Sequence, residues 1–522
     1  MRTPRPRTRI VATAGPATQK PETVAALIDA GVDVFRLNFS HGTTEQHAQT
    51  VLLVRQAAAN AGESVAILGD LCGPKIRIGR IDPSHSRLER GDRVEIVRTP
   101  PDGHAHRFGT NSPDVVFQAR VGHRVLIDDG QIRLRVVERQ PDRLTCTCEV
   151  AGTLSDRKGI NLPDTDLEMP VLTDKDLADL DWAVTADLDY VAMSFVRRAS
   201  DVDSLRAEIA SRGVLAPETD RTGDRPLDRA EDRPAHPHIV SKIETPQAVA
   251  DIDAIVAASD AVLVARGDLG VQLDLAAVPL IQKDIARRCR LANKPVIIAT
   301  QMLQSMVGSP VPTRAEVSDV ANAILDDADA VMLSAETSVG QYPVEAVRVI
   351  ERVAAHTEGF ALRAAGFSRG PGGDRVLPTQ VAGDLQGRDS PLEAQSLRAA
   401  ITGGAASIAT ELRPGAVCVW SLSGQTACWL SKQRLGAPVI GLAPDERIAR
   451  RMCLYYGVTP LIIQRPLSDA EMISTLQRLL TERGWVQAGE LFMVVAGSST
   501  ATGHSSHAIF LHRASAPPTS SG

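Results

Sequence analysis

The chain has 522 residues, 43% of them hydrophobic and 23% charged, and a formal net charge of −6. That length exceeds one ordinary core and predicts several domains, while the acidic balance argues against nucleic acid as a partner, which needs a basic face. No run approaches the roughly 20 apolar residues of a membrane helix, and Met1–Arg9 is a short basic tail with no signal-peptide core behind it, so a cytoplasmic chain with no membrane contact is expected.

The early and middle chain repeats one unit: a short apolar run, a polar tip, then a helical stretch. The runs are Ile10–Ala14, Val32–Leu37, Val65–Leu68, Tyr190–Met193, His238–Ser241, Ala261–Ala265, Pro295–Ala299 and Ala328–Leu333. Most are apolar on both faces, as parallel strands covered by helices are. Eight such units predict an α/β fold built on a closed (βα)8 TIM barrel. Two breaks interrupt the rhythm. From residue 78 to 170 the pattern becomes strand-like, with Val94–Val97, Arg124–Ile127, Ile132–Val136 and Leu144–Val150 between turn residues, which predicts a small β-barrel domain inserted into a βα loop as a lid. From Pro217 to Pro237 the chain is dense in Asp, Arg and Pro, too polar to offset its ordering entropy, and reads as a surface loop.

The barrel is thus assigned to 1–77 and 171–358, and a Gly/Pro-rich linker to 359–387. Residues 388–513 form a C-terminal α/β domain with strands at Val417–Ser421, Pro438–Leu442 and Leu491–Ala496, and 514–522 is a tail. The seven cysteines are scattered; Cys146 and Cys148 lack the second ligand pair of a zinc site, so reduced structural thiols are expected.

Active sites of such barrels lie where the strands end. The tips here are Asn38-Phe39-Ser40-His41, Asp70, Ser194-Phe195, Lys242-Ile243-Glu244, Arg266-Gly267-Asp268, Thr300-Gln301 and Ser334-Ala335-Glu336. Glu244 and Asp268 end neighbouring strands, which suits a hard divalent cation with open positions. Lys242 shares a face with Glu244 by strand alternation, and its charge there suits a phosphoryl group in transfer. A buried salt bridge between Lys242 and a carboxylate accounts equally well for these residues alone. Arg36, Asn38 and Ser40 share a face; the arginine suits a phosphate, and the two oxygens suit a monovalent cation. His41 has two readings, ligand and surface histidine. Arg77 sits where the inserted domain departs and could reach a second phosphate.

These tips, in this order, resemble the pyruvate kinase family. The matching pieces are R-T-R-I-V-A-T-A-G-P-A-T from Arg7, R-L-N-F-S-H-G from Arg36, G-P-K-I-R from Gly73, K-G-I-N-L-P from Lys158 and S-K-I-E from Ser241. They continue with A-R-G-D-L-G from Ala265, A-T-Q-M-L from Ala299, P-T-R-A-E from Pro312 and L-S-A-E-T-S-V-G-Q-Y-P from Leu333. The resemblance implies transfer of the phosphoryl group of phosphoenolpyruvate to ADP, giving pyruvate and ATP. It implies that Arg36 and Lys242 hold the phosphoryl group, that Glu244 and Asp268 bind Mg2+ (or Mn2+), and that the amides of Gly267 and Asp268 take the carboxylate. It implies further that Thr300 helps protonate the enolate carbon, with Ser334 and Glu336 behind it on the proton path. Arg77, His41 and Lys158 would face the nucleotide, and Asn38, Ser40, Asp70 and Leu71 would form a monovalent-cation site. A homotetramer and a phosphorylated allosteric effector are also implied.

Three departures stand out. Lys75 occupies a position where many members carry Glu and need potassium, so its ammonium is expected to replace that ion and potassium is not expected to be required. Ala335 stands where Gly is usual, and the segment Pro217–Pro237 is an insertion. In the C-terminal domain, Ser421, Ser423, Gly424, Gln425 and Thr426 form a hydroxyl-rich loop before a helix, read either as an effector-phosphate site or as an N-capped turn. The enzymatic alternative is a barrel lyase or aldolase that stabilises an enolate with a metal.

Overall fold

The computed structural model describes residues 5–98, 103–212, 237–367, 391–464, 468–496 and 508–515. Residues 217–236 of the predicted surface loop and much of the predicted linker and tail lie outside these. Eight parallel strands close into a barrel: β1 (Arg9–Thr13), β2 (Val34–Asn38), β3 (Ala66–Asp70), β4 (Tyr190–Met193), β5 (His238–Ile243), β6 (Ala261–Ala265), β7 (Val296–Ala299) and β8 (Ala330–Leu333), with β8 returning to β1. All eight coincide with the apolar runs, to within a few residues at each end. Alternation sends Val11, Val34, Leu68 and Leu263 inward and Ile10, Phe35, Ile67 and Val262 outward against the helices. The inner cluster continues through the barrel floor to Met452 and Tyr455 of the C-terminal domain.

The floor is set by four aspartates. Asp33, Asp189, Asp260 and Asp329 immediately precede β2, β4, β6 and β8, and each carboxylate accepts the backbone N–H of a residue in the adjacent odd-numbered strand. The donors are Ile10 at 2.9 Å and Ile67, Ile239 and Val296 at 2.8 Å each. These amides would otherwise be buried without acceptors at the strand starts. Three of the four carboxylates also meet cations that reach the C-terminal domain. Arg450 binds Asp189 at 2.6 Å and Lys432 binds Asp329. Arg9 binds Asp33 at 2.8 Å and donates to the carbonyls of Tyr455 and Val458.

In the inserted domain the strands form a six-stranded sheet and a two-stranded ribbon. Beyond the predicted strands, the sheet recruits Arg107–Gly109 and Ile160–Asn161 as its edges, and the ribbon pairs Arg87–Leu88 with Gly152–Thr153. The edges meet through the entering chain, since Arg77 bridges Gly159 and Ile78 bridges Thr110. The sheet therefore curls on itself over the core of Ile76, Phe108 and Leu134.

The last barrel helix runs Pro343–Phe367, so the first residues assigned to the linker are helical. The run Phe360-Ala361-Leu362-Arg363-Ala364-Ala365 has good helix formers and no proline to stop it. The C-terminal domain packs helix Pro391–Leu412 and others around a five-stranded sheet. Its order runs Val458–Ile462, Val439–Ala443, Ala416–Trp420, Leu491–Ala496 and Ala508–Arg513. The edge strands Val458–Ile462 and Ala508–Arg513 were not expected from the sequence; the first contains Pro460 and is half-solvated, which blurs its pattern.

The Lys432–Asp329 pair is almost wholly enclosed, at 2% and 0% side-chain exposure. Lys432→Met leaves the buried carboxylate with only the Val296 N–H and the more distant Arg434, 3.7 Å away, at a cost approaching the figure of about 3–5 kcal/mol for breaking a buried pair. The urea unfolding midpoint of K432M is expected to fall clearly, and adding Asp329→Asn should recover much of the loss. A midpoint unchanged in K432M would show that the pair does not hold the two domains.

Candidate active site at the barrel mouth

The strand ends bring a compact set of charges together. Arg36, near the end of β2, places Nε 2.7 Å from Asp70 Oδ2 and Nη1 3.1 Å from Thr13 Oγ1. The other Asp70 oxygen lies 3.4 Å from Lys242 Nζ, which also reaches Glu244 Oε1 at 2.9 Å and donates to Ser194 Oγ at 2.8 Å. Burial alone would raise the Asp70 carboxyl, but Lys242 and Arg36 outweigh it and hold it below its ordinary value. Burial likewise opposes the Lys242 charge, yet Asp70 and Glu244 raise the ammonium above its usual range. Both readings of Lys242 therefore have substance: it is salt-bridged, and it stands among the carboxylates of the mouth.

Glu244 is buried and its Oε2 accepts the Phe195 N–H at 2.8 Å. Burial pushes its carboxyl up; Lys242 pulls it down and the neighbouring Asp268 charge pushes it further up. A buried carboxylate beside a second, half-buried one suits a hard divalent cation, so this donor set fits the metal expected there.

Three non-glycine residues at these tips adopt left-handed backbone: Phe195 (φ +56°), Thr300 (φ +66°) and Gln301 (φ +54°). For such side chains that conformation costs on the order of 1–3 kcal/mol and is held only by its surroundings. Around Thr300 the holding group is Arg266, whose guanidinium donates to the Thr300 carbonyl at 2.8 Å and is anchored on Asp319 at 2.7 Å. Thr300 Oγ1 donates to the Ala299 carbonyl and accepts the Gly267 N–H, both at 2.7 Å. The Gly267 amide, expected to face a substrate carboxylate, is thus engaged by Thr300 in this arrangement.

Glu336 differs from expectation more sharply. It is buried, with one oxygen accepting the Leu303 N–H at 3.0 Å and the other the Ser334 N–H at 2.7 Å. Held by one backbone amide on each oxygen, the carboxylate positions the ends of β7 and β8. Ala335 opens a short helix and needs no positive φ, so the methyl in place of glycine is tolerated.

The residues expected around a monovalent cation have protein partners of their own. Asn38 Oδ1 accepts the Ser40 N–H at 3.1 Å, the Leu71 carbonyl accepts the Ser194 hydroxyl at 2.7 Å, and Asp70 is paired as described. Lys75 is not one of the Asp70 ion-pair partners. It is exposed, and its side chain runs past Gly159, where an added methyl would meet Lys75 Cε at 3.3 Å. It lines two clefts: one lined also by Phe195, Thr245, Asp268 and Gln272, the other, of about 550 Å³, by Ser40, Arg77, Asn111 and Lys175. Arg77 donates to the Arg157 carbonyl, Lys158 pairs with Asp128 at 2.9 Å, and His41 is exposed. Lys158 and His41 do not line the larger cleft.

Ser194, Arg266, Asp319 and Lys175 were given no role from sequence. Ser194 and Arg266 did stand in the list of tips, which was their only signal. In the C-terminal domain, Ser421–Thr426 follows the central strand, with Gly424 at φ +83° before helix Gln425–Ser431.

The family description "Pyruvate kinase, barrel domain" matches residues 5–216 and 226–347, and "Pyruvate kinase, alpha/beta domain" matches 399–509. A pyruvate kinase of Agrobacterium vitis is 39% identical over 492 residues, covering 94% of this chain and 93% of the relative. One of Mycobacterium tuberculosis is 36% identical over 507 residues, covering 97% and 98%. The crystal structure of a pyruvate kinase from Cryptosporidium parvum superposes with a TM-score of 0.84 at 30% identity, covering 98% of this chain and 96% of that one. With both domains matched and near full-length relatives, the chain belongs to the pyruvate kinase family.

Proposed function

We propose that the cluster of Lys242, Glu244, Asp268 and Arg36 carries phosphoryl transfer from phosphoenolpyruvate to ADP, giving pyruvate and ATP. The observation that supports it best is Lys242, held by Asp70, Glu244 and Ser194 beside a carboxylate pair at the end of the barrel. The relatives are kinases over nearly the whole chain, which sets the lyase alternative aside.

Arg36 keeps Nη2 without a protein acceptor among the described residues, and that group grips the substrate phosphate. Lys242 stabilises charge on the phosphoryl group as it moves, a fixed ammonium being worth far more in this buried setting than in water. Glu244 and Asp268 hold the divalent ion that the family requires, here Mg2+ or Mn2+. That ion, when bound, neutralises substrate oxygens. Thr300 and Ser334 assist protonation of the enolate carbon, with Glu336 fixing their backbone. Arg77 and the cleft beside it receive the nucleotide, with Lys158 and His41 at its margin, and the inserted domain covers it to exclude water.

Lys75 takes the place of potassium in charge, not through Asp70 but as an ammonium that lines both clefts. A phosphorylated effector binds the Ser421–Thr426 loop. The sheet order supports that reading, because Ala416–Trp420 lies where the crossovers diverge to either side, and ligands favour such a crevice. A homotetramer and a cytoplasmic location complete the proposal; among the described residues no helix is long and apolar enough to cross a membrane.

A lactate-dehydrogenase-coupled assay with phosphoenolpyruvate, ADP and Mg2+ tests the reaction directly. Lys242→Met is expected to keep phosphoenolpyruvate binding while turnover falls by about 10²-fold or more, the scale of losing one preorganised charge-stabilising group. Turnover within tenfold of the parent would remove Lys242 from its role. In buffer free of potassium and sodium, adding KCl should change activity little; a tenfold gain would overturn the assignment of Lys75. Phosphoenolpyruvate saturation curves recorded with sugar phosphates or AMP should shift if the effector loop is occupied.

A further inference from the structure

The inserted domain joins the barrel by two legs. The outgoing leg passes through Gly73-Pro74-Lys75, and the returning leg comes back through Leu167–Thr173 into helix Asp174–Thr185. Asp176 in the first turn of that helix is fully buried. One of its oxygens accepts the Gly73 N–H at 3.0 Å; the other accepts the Thr173 N–H at 2.9 Å and the Thr173 hydroxyl at 2.6 Å. The Thr173 contacts are an ordinary capping box. The Gly73 contact is not: it reaches across 103 residues of sequence to the other leg.

Gly73 stands at φ +65°, and a Cβ there would lie 2.9 Å from Phe195 Cδ2 and 3.1 Å from Ser194 Cβ. It is therefore wedged against the two residues that hold the catalytic pair, Ser194 through the Lys242 ammonium and Phe195 through the Glu244 carboxylate. Arg197, two residues on, donates to the carbonyls of Leu167 and Met169 on the returning leg. Both legs thus bear on the segment Ser194–Arg197. We infer that Asp176 is a positioning residue for phosphoryl transfer, pinning the two legs together so that the inserted domain and the Lys242–Glu244 pair move as one unit. The inference rests on the proposed roles of Lys242, Glu244 and the nucleotide cleft. Three donors converge on two oxygens, so a carboxylate is needed; an amide would set an N–H against an N–H.

The wild-type assay tests the proposed reaction, and Asp176→Asn tests this inference separately. D176N is expected to lower kcat about tenfold and raise KM for ADP several-fold, because small misplacements of reacting groups are costly. KM for phosphoenolpyruvate should stay within about twofold, since Arg36 does not touch the hinge, and hydrogen exchange should quicken at Gly73 and Thr173. Folded D176N with kcat and KM for ADP within about twofold of the parent would overturn the inference. So would an equal rise in both KM values with unchanged exchange at the hinge. If D176N does not fold, Thr173→Val carries the test: it should show the same split in smaller measure while Thr173→Ser matches the parent. Equal behaviour of T173V and T173S would overturn it.

Discussion

Asp70 sets the charge balance of the barrel mouth, with one carboxylate oxygen on Arg36 and the other toward Lys242. Taken with Glu244, this makes two cations against two anions in a space largely closed to water, where an unpaired charge would be prohibitive. Asp268 adds a further negative charge, felt by Glu244 as a push on its carboxyl. The surplus is what a divalent cation can use. Under the proposed function a phosphate substrate brings its own charge to Arg36 and Lys242, and protein counter-charges are traded for ligand ones.

The two ends of the barrel solve opposite problems. At the floor, aspartates bind amides and cations, with Asp187 and Asp327 in left-handed turns just ahead of two of them, and the C-terminal domain closes over them. At the mouth, Phe195, Thr300 and Gln301 hold left-handed conformations that their own side chains disfavour. Rigid packing below supplies the support for strain above, the usual relation between scaffold and site. Arg266 shows the connection in one side chain, since its anchor on Asp319 lets it hold the Thr300 carbonyl in place.

The barrel was legible because its strands are buried on both faces and therefore read as unbroken apolar runs. The inserted strands Arg87–Leu88, Gly152–Thr153 and Ile160–Asn161 were not, since two residues cannot show alternation. Lys242, Glu244 and Asp268 could be picked out because each follows an apolar run. What Asp70 does could not, because its two cations come from different strands. Asp176 was hidden in another way: its spacing to Thr173 is that of a helix cap, and nothing local marks the contact with Gly73. The two amides on Glu336 come from the ends of different strands, and nothing near it in sequence marks the Leu303 contact.

The four floor aspartates have a meaning for folding. Side chains alternate along a strand, so a slip of one residue would turn every inward group outward. In a barrel of parallel strands, apolar on both faces, such a slip would still bury hydrophobic residues and would be weakly opposed by packing alone. A carboxylate fixed to one amide of the adjacent strand makes the distinction that packing does not. Displacing β2, β4, β6 or β8 by one residue moves the carboxylate some 3.3 Å along its neighbour and strands both charge and donor. Each βαβ pair thus carries its own alignment mark, four times around the barrel, and a chain mispaired at any of them gives up a buried charge-assisted bond.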